Sequence, residues 1–211
     1  MFGLDTQELC SGLFSDVMDR LGYRKQIITG MQKNIPLVSF MGRARTVSLR
    51  TEDTDDENIR TGLSFLGTVG EGEVLVVNGS ERFAYFGEMM TRLSMRNRIE
   101  GIVINGMTRD TNYTHQNQVM LPVLAKGYSP VDIKGRGRVE AVDIAVTADG
   151  VEICPGNLIY ADNEAVCVVP GQIEAEVLAK VKEKLDEEKR IIQWIDSGMS
   201  VRDLLERVTE F

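Results

Sequence analysis

The sequence predicts an α/β fold, on three observations. Residues 74–77, 102–104 and 166–169 are short continuous apolar runs bounded by Gly, Asn or Pro, the texture of strands buried on both faces. Residues 56–66 and 83–96 carry helical apolar periodicity, so strand and helix alternate through the middle of the chain. The composition, 43% apolar and 27% charged over 211 residues, is ordinary for one well-buried core and excludes disordered, collagen-like and low-complexity classes.

Taken in order, residues 6–21 place Leu9, Leu13, Val17 and Leu21 at fourfold spacing, one helical stripe that Gly22 ends. Residues 44–51 alternate and predict a strand. After Pro122 the strand signals crowd together at 123–125, 139–147, 151–154, 158–161 and 166–169, with Asp149-Gly150 as a hairpin turn. Gly135-Arg136-Gly137-Arg138 reads as a solvated turn. From Ile173 a long charged helix aligns Leu178, Val181, Leu185, Ile192 and Ile195 in a narrow seam that seeks a partner. Glu188 interrupts that stripe, either as a carboxylate that snorkels or pairs with a lysine, or as one delivered to a neighbouring subunit. Ser200-Val201-Arg202-Asp203 has capping-box spacing and opens a last short helix. No linker or repeat divides the chain, so the expectation is one α/β domain over residues 1–170 and a C-terminal helical extension over 171–211 that packs on a neighbouring subunit.

Charge and cysteine content narrow the function classes. Lys plus Arg number 24 against 32 Asp plus Glu, a net charge of -8 that repels polyanions, so neither nucleic acid nor an anionic membrane is an expected partner. Cys10, Cys154 and Cys167 lack CxxC spacing and sit among apolar or small neighbours, as buried reduced thiols do. With no basic start, no leader-like apolar stretch and no apolar run near ~18 residues, a cytoplasmic protein is expected. The single His115 excludes a three-histidine zinc site, and in its polar loop it reads as a solvated imidazole. The acidic run Glu52, Asp53, Asp55, Asp56 and Glu57 reads as an exposed loop opening a helix, not as a metal cluster.

The richest chemistry lies in Gly87-Glu88-Met89-Met90 and, after a helix and a strand, Asn105-Gly106-Met107-Thr108-Arg109-Asp110. Gly87 stands near a helix start, where free N–H groups and the dipole suit a carboxylate. Arg109 and Asp110 follow a buried strand at its carboxyl end, where open α/β sheets bind ligands. Arg109 can clamp a carboxylate while Asp110 holds a hard divalent cation with waters; an Arg-Asp pair after a strand is also a common surface ion pair.

Gly87-Glu88-Met89-Met90, the twenty residues between Glu88 and Arg109, and Gly106-x-x-Arg109-Asp110 resemble the signature of the regulator of ribonuclease activity A family, whose metal-dependent members are 4-hydroxy-4-methyl-2-oxoglutarate aldolases. The opening helix Ser15 to Gly22, Gly42-x-Ala44-x-Thr46-Val47, Leu121-Pro122-Val123-x-Ala125-x-Gly127 and Val151-x-x-x-Pro155-Gly156 are similar to further family blocks. The resemblance implies a β/β/α fold of the swivelling phosphohistidine-domain type, assembled as a trimer or hexamer with sites between subunits. It implies Mg²⁺ or Mn²⁺ held by Asp110, with Glu88 near the metal and a glutamate from a neighbouring C-terminal helix, Glu188 or secondarily Glu187. Arg109 and the backbone of Gly87, Glu88, Met89 and Met90 would bind an oxo-acid substrate, with Arg109 and Asp110 catalytic.

The implied reaction is lyase cleavage of a 4-hydroxy-2-oxo acid, such as 4-hydroxy-4-methyl-2-oxoglutarate or 4-carboxy-4-hydroxy-2-oxoadipate, to pyruvate and an oxo acid, with oxaloacetate decarboxylation on the side. The alternative is a non-catalytic regulator that binds and inhibits ribonuclease E. The sequence departs from the aldolases at Glu88, Asn105 and Asn157, each in place of Asp.

Overall fold

In a computed structural model, the structure describes residues 4–36, 38–56, 58–112 and 120–208. Glu57 and His115 lie outside the described residues. Twelve strands are named in chain order: β1 (Ile27–Thr29), β2 (Gln32–Lys33), β3 (Ser39–Thr51), β4 (Glu73–Asn78), β5 (Ala84–Phe86), β6 (Gly101–Thr108), β7 (Val123–Tyr128), β8 (Gly137–Val142), β9 (Val146–Ala148), β10 (Val151–Ile153), β11 (Leu158–Asp162) and β12 (Ala165–Val169). Five α-helices are likewise named: α1 (Ser11–Arg20), α2 (Ile59–Leu66), α3 (Glu88–Arg96), α4 (Glu174–Asp196) and α5 (Val201–Arg207).

One mixed sheet runs β1-β12-β11-β3-β4-β6-β7-β2, with β5 on β6 and β8 on β3. Its centre is parallel, β3 to β4 to β6 to β7, and β11, β12 and β1 extend it antiparallel. Side chains alternate across a strand, so in β3 Met41 and Val47 meet the helices while Phe40 and Ala44 point to the opposite face. The helical face holds two clusters. Leu75, Ile102 and Val123 pack under α2 and α3 through Phe65 and Met90, whereas Tyr160, Cys167 and Val169 pack under α1 and α4 through Phe14 and Val181. The opposite face is covered by the β9–β10 hairpin with Val146, Val151 and Ile153. Asp149 (φ 52°) and Gly150 (φ 79°) make that hairpin's turn, both with the positive φ of a type I′ loop.

Several boundaries differ from the sequence expectation. The helix expected over 6–21 is a short 3₁₀ turn, Thr6–Glu8, and then α1, because Leu9 and Cys10 are extended between them. The helix expected from 83 starts at Glu88: Ala84–Phe86 is wholly buried and pairs with β6, and sheet pairing overrides local periodicity. Residues 139–147 split into β8 and β9 at Asp143, whose φ is 49°. The turn expected at Gly135 to Arg138 ends early, since Gly137 and Arg138 begin β8 and a Cβ on Gly137 would lie 2.3 Å from the Phe83 ring. The short β1 and β2 were not legible as strands. Of the three thiols expected to be buried, only Cys167 is; Cys10 is exposed at the α1 N-cap and Cys154 half-buried. The α4 seam is partly covered within its own chain, Val181 and Leu185 packing on α1, while Ile192 and Ile195 stay exposed. Among the described residues no helix is long and apolar enough to cross a membrane.

Candidate active site

The carboxyl end of β6 runs past the end of β4, and β5 takes the vacated edge. The Arg109 N–H donates to Phe86 O at 3.0 Å and Thr108 Oγ1 to the same oxygen at 2.9 Å, which locks the end of β6 against the residue before Gly87. Two segments twenty residues apart in sequence thereby become neighbours.

Asp110 leaves β6 in the left-handed region, φ 65°, which Asp and Asn tolerate better than other side chains. That turn aims its carboxylate at the start of α3, where Oδ2 accepts the Glu88 N–H at 3.2 Å. The positive end of the helix dipole stabilises a carboxylate so placed. Gly87 makes the approach possible: a Cβ there would lie 2.3 Å from Asp110 Oδ2 and 3.0 Å from Arg109 Cγ. Gly87→Ala is therefore expected to push Asp110 aside, and any turnover that depends on its placement would fall about 10²-fold, the cost of roughly 1 Å of misplacement. Steady-state rates beside a far-UV spectrum of the folded variant check this.

Arg109 is held from its other side by Asp132, which forms an ion pair with Nη1, while Nε lies 3.6 Å from Asp110 Oδ2. Asp132 Oδ1 also accepts the Lys134 N–H at 2.9 Å. Burial pushes the Asp132 carboxyl up, but the bonds from Lys134 and Arg109 and the charges of Arg109 and Arg136 outweigh it and hold it below its ordinary value. Asp132 was not identified from sequence. No motif marks it; pairing of its segment with β5, through the Ala84–Asp132 bridge and the Ala84 N–H to Val131 O, brings it in.

These groups line a cavity of about 390 Å³, in the range that holds drug-sized ligands. Gly87, Arg109, Asp110, Asp132 and Lys134 form its polar end, and Ile59, Leu63, Tyr85, Met90 and Leu93 form an apolar lobe. Tyr85 also escaped sequence reading. Its hydroxyl is buried against α2, where a Cβ on Gly62 would lie 2.0 Å away, and has no hydrogen-bond partner among the described residues. Burial pushes this phenol up to about 12. An unsatisfied buried hydroxyl costs about 1–3 kcal/mol, so Tyr85→Phe is expected to raise Tm in a thermal melt by about 2–4 °C for each kcal/mol recovered.

The remaining expected site residues divide. Met89 is exposed at the cavity, and the first-turn N–H groups of α3 lack intrahelical acceptors, as at any helix start. The Glu88 carboxylate turns to Arg92, accepting from Nε at 2.8 Å, so its backbone rather than its side chain meets Asp110. Glu188 is not brought to Asp110 within the chain; α4 packs on α1 at the other end of the sheet, and Glu188 lies 4.0 Å from Lys184 Nζ. Among the described residues no three Asp, Glu, Cys or His side chains converge as a metal cage. Asp110, half-exposed at the polar end, suits a hard cation that takes one protein carboxylate and completes its shell with water and ligand oxygens.

The sequence profile of the RraA-like family, Aldolase/RraA, matches residues 11–168. A relative from Pseudomonas putida (strain W619), assigned by name alone to the 4-hydroxy-4-methyl-2-oxoglutarate aldolases, is 39% identical over 107 residues, 50% of this chain and 64% of that protein. Among solved structures, an uncharacterized protein from Pseudomonas syringae pv. tomato superposes with a TM-score of 0.80 at 28% identity, covering 94% of this chain and 95% of the other. Streptomyces coelicolor RraAS2, titled an unusual member of the RNase ES inhibitor RraA protein family, gives 0.76 at 25% identity over 87% and 93%. With the β6-to-α3 geometry in place and the profile spanning most of the chain, the protein belongs to the Aldolase/RraA family.

Proposed function

We propose that the protein is a divalent-metal-dependent lyase that cleaves a 4-hydroxy-2-oxo acid to pyruvate and a second oxo acid, with oxaloacetate decarboxylation as a side activity. The observation that carries this reading is the convergence of α3's N-terminus, Arg109 and Asp110 on one cavity. The first-turn amides of α3 beyond that of Glu88, whose N–H Asp110 accepts, offer donors to the substrate carboxylate. The Arg109 guanidinium, fixed by Asp132, faces the carbonyl oxygen whose charge grows as the carbon–carbon bond breaks and the pyruvate enolate forms. Asp110 would hold Mg²⁺ or Mn²⁺, whose chemistry when bound is to act as a Lewis acid at the 2-oxo group.

The same reading takes Glu188 from a second copy in a trimer or hexamer, since its own chain keeps it away from Asp110. It places the protein in the cytoplasm, with its thiols reduced. The test is pyruvate release from 4-hydroxy-4-methyl-2-oxoglutarate, 4-carboxy-4-hydroxy-2-oxoadipate and oxaloacetate, with and without added metal. Metal-stimulated release supports the reading, and silence on all three with either metal defeats it. A second reading, a regulator that binds and inhibits ribonuclease E, is favoured by the RraAS2 likeness and by the net charge of -8, which suits a basic partner surface. Inhibition that survives loss of Asp110 would single it out.

A further inference from the structure

We propose that Lys134 selects dicarboxylate substrates by pairing with the carboxylate distal to the 2-oxo group. This rests on the oxo-acid reading of the polar end and names the side chain that reads the substrate's other end. Two cations line the cavity, Arg109 and Lys134. Arg109 is ion-paired with Asp132, whereas the Lys134 ammonium has no ion pair or hydrogen bond among the described residues. Its backbone is nevertheless fixed. The Lys134 N–H donates to Asp132 Oδ1 at 2.9 Å, its carbonyl accepts from Arg136 Nη1 at 3.0 Å, and Ile133 beside it is buried in the core. An ammonium on a held segment suits a ligand anion, because its flexible stem can follow the anion and no protein ion pair must break to bind it.

The placement of charge assigns the distal carboxylate to this lysine. A divalent cation on Asp110 would have its two charges offset by that residue and by the substrate carboxylate beside the 2-oxo group, and Arg109 is offset by Asp132. A Glu188 from a second copy would add a further negative charge at the cation. In either case Lys134 is the unmatched positive charge of the lining. Beyond the polar end the wall offers a second carboxylate no donor: Ile59, Leu63, Met90 and Leu93 are apolar, and the Tyr85 hydroxyl is buried on Gly62. A carboxylate left unpaired against that wall would lose its hydration. The ammonium therefore decides between a dicarboxylate and a monocarboxylate of the same length.

Two uncleavable 2-oxo acids with carbon chains of equal length test this, 2-oxoglutarate and 2-oxopentanoate, the second ending in a methyl group. In calorimetric titrations with saturating Mg²⁺, 2-oxoglutarate is expected to bind about 10-fold or more tightly. Lys134→Met, at an exposed position, is expected to bring the ratio to within about twofold of unity, and Lys134→Arg to restore most of it. Equal binding by the unaltered protein, a preference that survives Lys134→Met, or a loss that Lys134→Arg does not restore overturns the inference whatever the turnover assay shows. A preference lost in Lys134→Met and kept in Lys134→Arg, without pyruvate release from any aldol substrate, keeps the inference and removes the lyase reading. Failure of both acids to bind removes both.

Discussion

Asp110→Asn is expected to reduce the proposed metal-dependent pyruvate release by about 10³-fold while leaving the fold intact. The substitution is nearly isosteric, and Asn is as much at home as Asp at a φ of 65°. Its amide oxygen can still accept the Glu88 N–H that Asp110 Oδ2 accepts at 3.2 Å. What disappears is the negative charge proposed to hold the cation, and a Lewis acid contributes several kcal/mol to charge stabilisation, each ~1.4 kcal/mol being tenfold in rate. Initial rates across a Mg²⁺ titration, beside a thermal melt, make the measurement. Wild-type turnover at limiting Mg²⁺ would remove Asp110 from the metal site.

Arg109→Lys is expected to lower kcat by about 10²-fold with a smaller change in KM. A guanidinium contacts two oxygens in one plane and keeps a fixed orientation against Asp132, whereas an ammonium is a single point charge on a flexible stem. An interaction that strengthens as the enolate forms appears in kcat, and one made equally in ground and transition states appears in KM. A variant with raised KM and unchanged kcat would make Arg109 a substrate anchor only. Asp132 would be left without its guanidinium partner in this variant. Because its carboxyl is held below its ordinary value, the stabilisation it contributes is present above the unfolded pKa and lost as the pH falls toward the folded one. Arg109→Lys should therefore narrow the difference in Tm between neutral and acidic buffer.

Amino-acid order alone was enough for the α/β class, the central buried strands, the Asp149-Gly150 hairpin and the pairing of the α3 start with Arg109 and Asp110. Each of these is written in local periodicity, turn chemistry or a short motif. Asp132 and Tyr85 were not legible. Residues 131–133 reach the site by pairing beside β5, and Tyr85 is set by β5's place in the sheet and by the missing side chain of Gly62, which are relations between segments far apart in the chain. The same reason explains the error at residues 83–87. Helical spacing continues through Ala84 to Phe86, but burial on β6 is worth more than local preference, so the helix begins one residue after Gly87. It also explains the α4 seam, whose apolar stripe was visible in sequence while the surface covering its first half, α1, was decided only when β11 and β12 brought the two helices onto one face of the sheet.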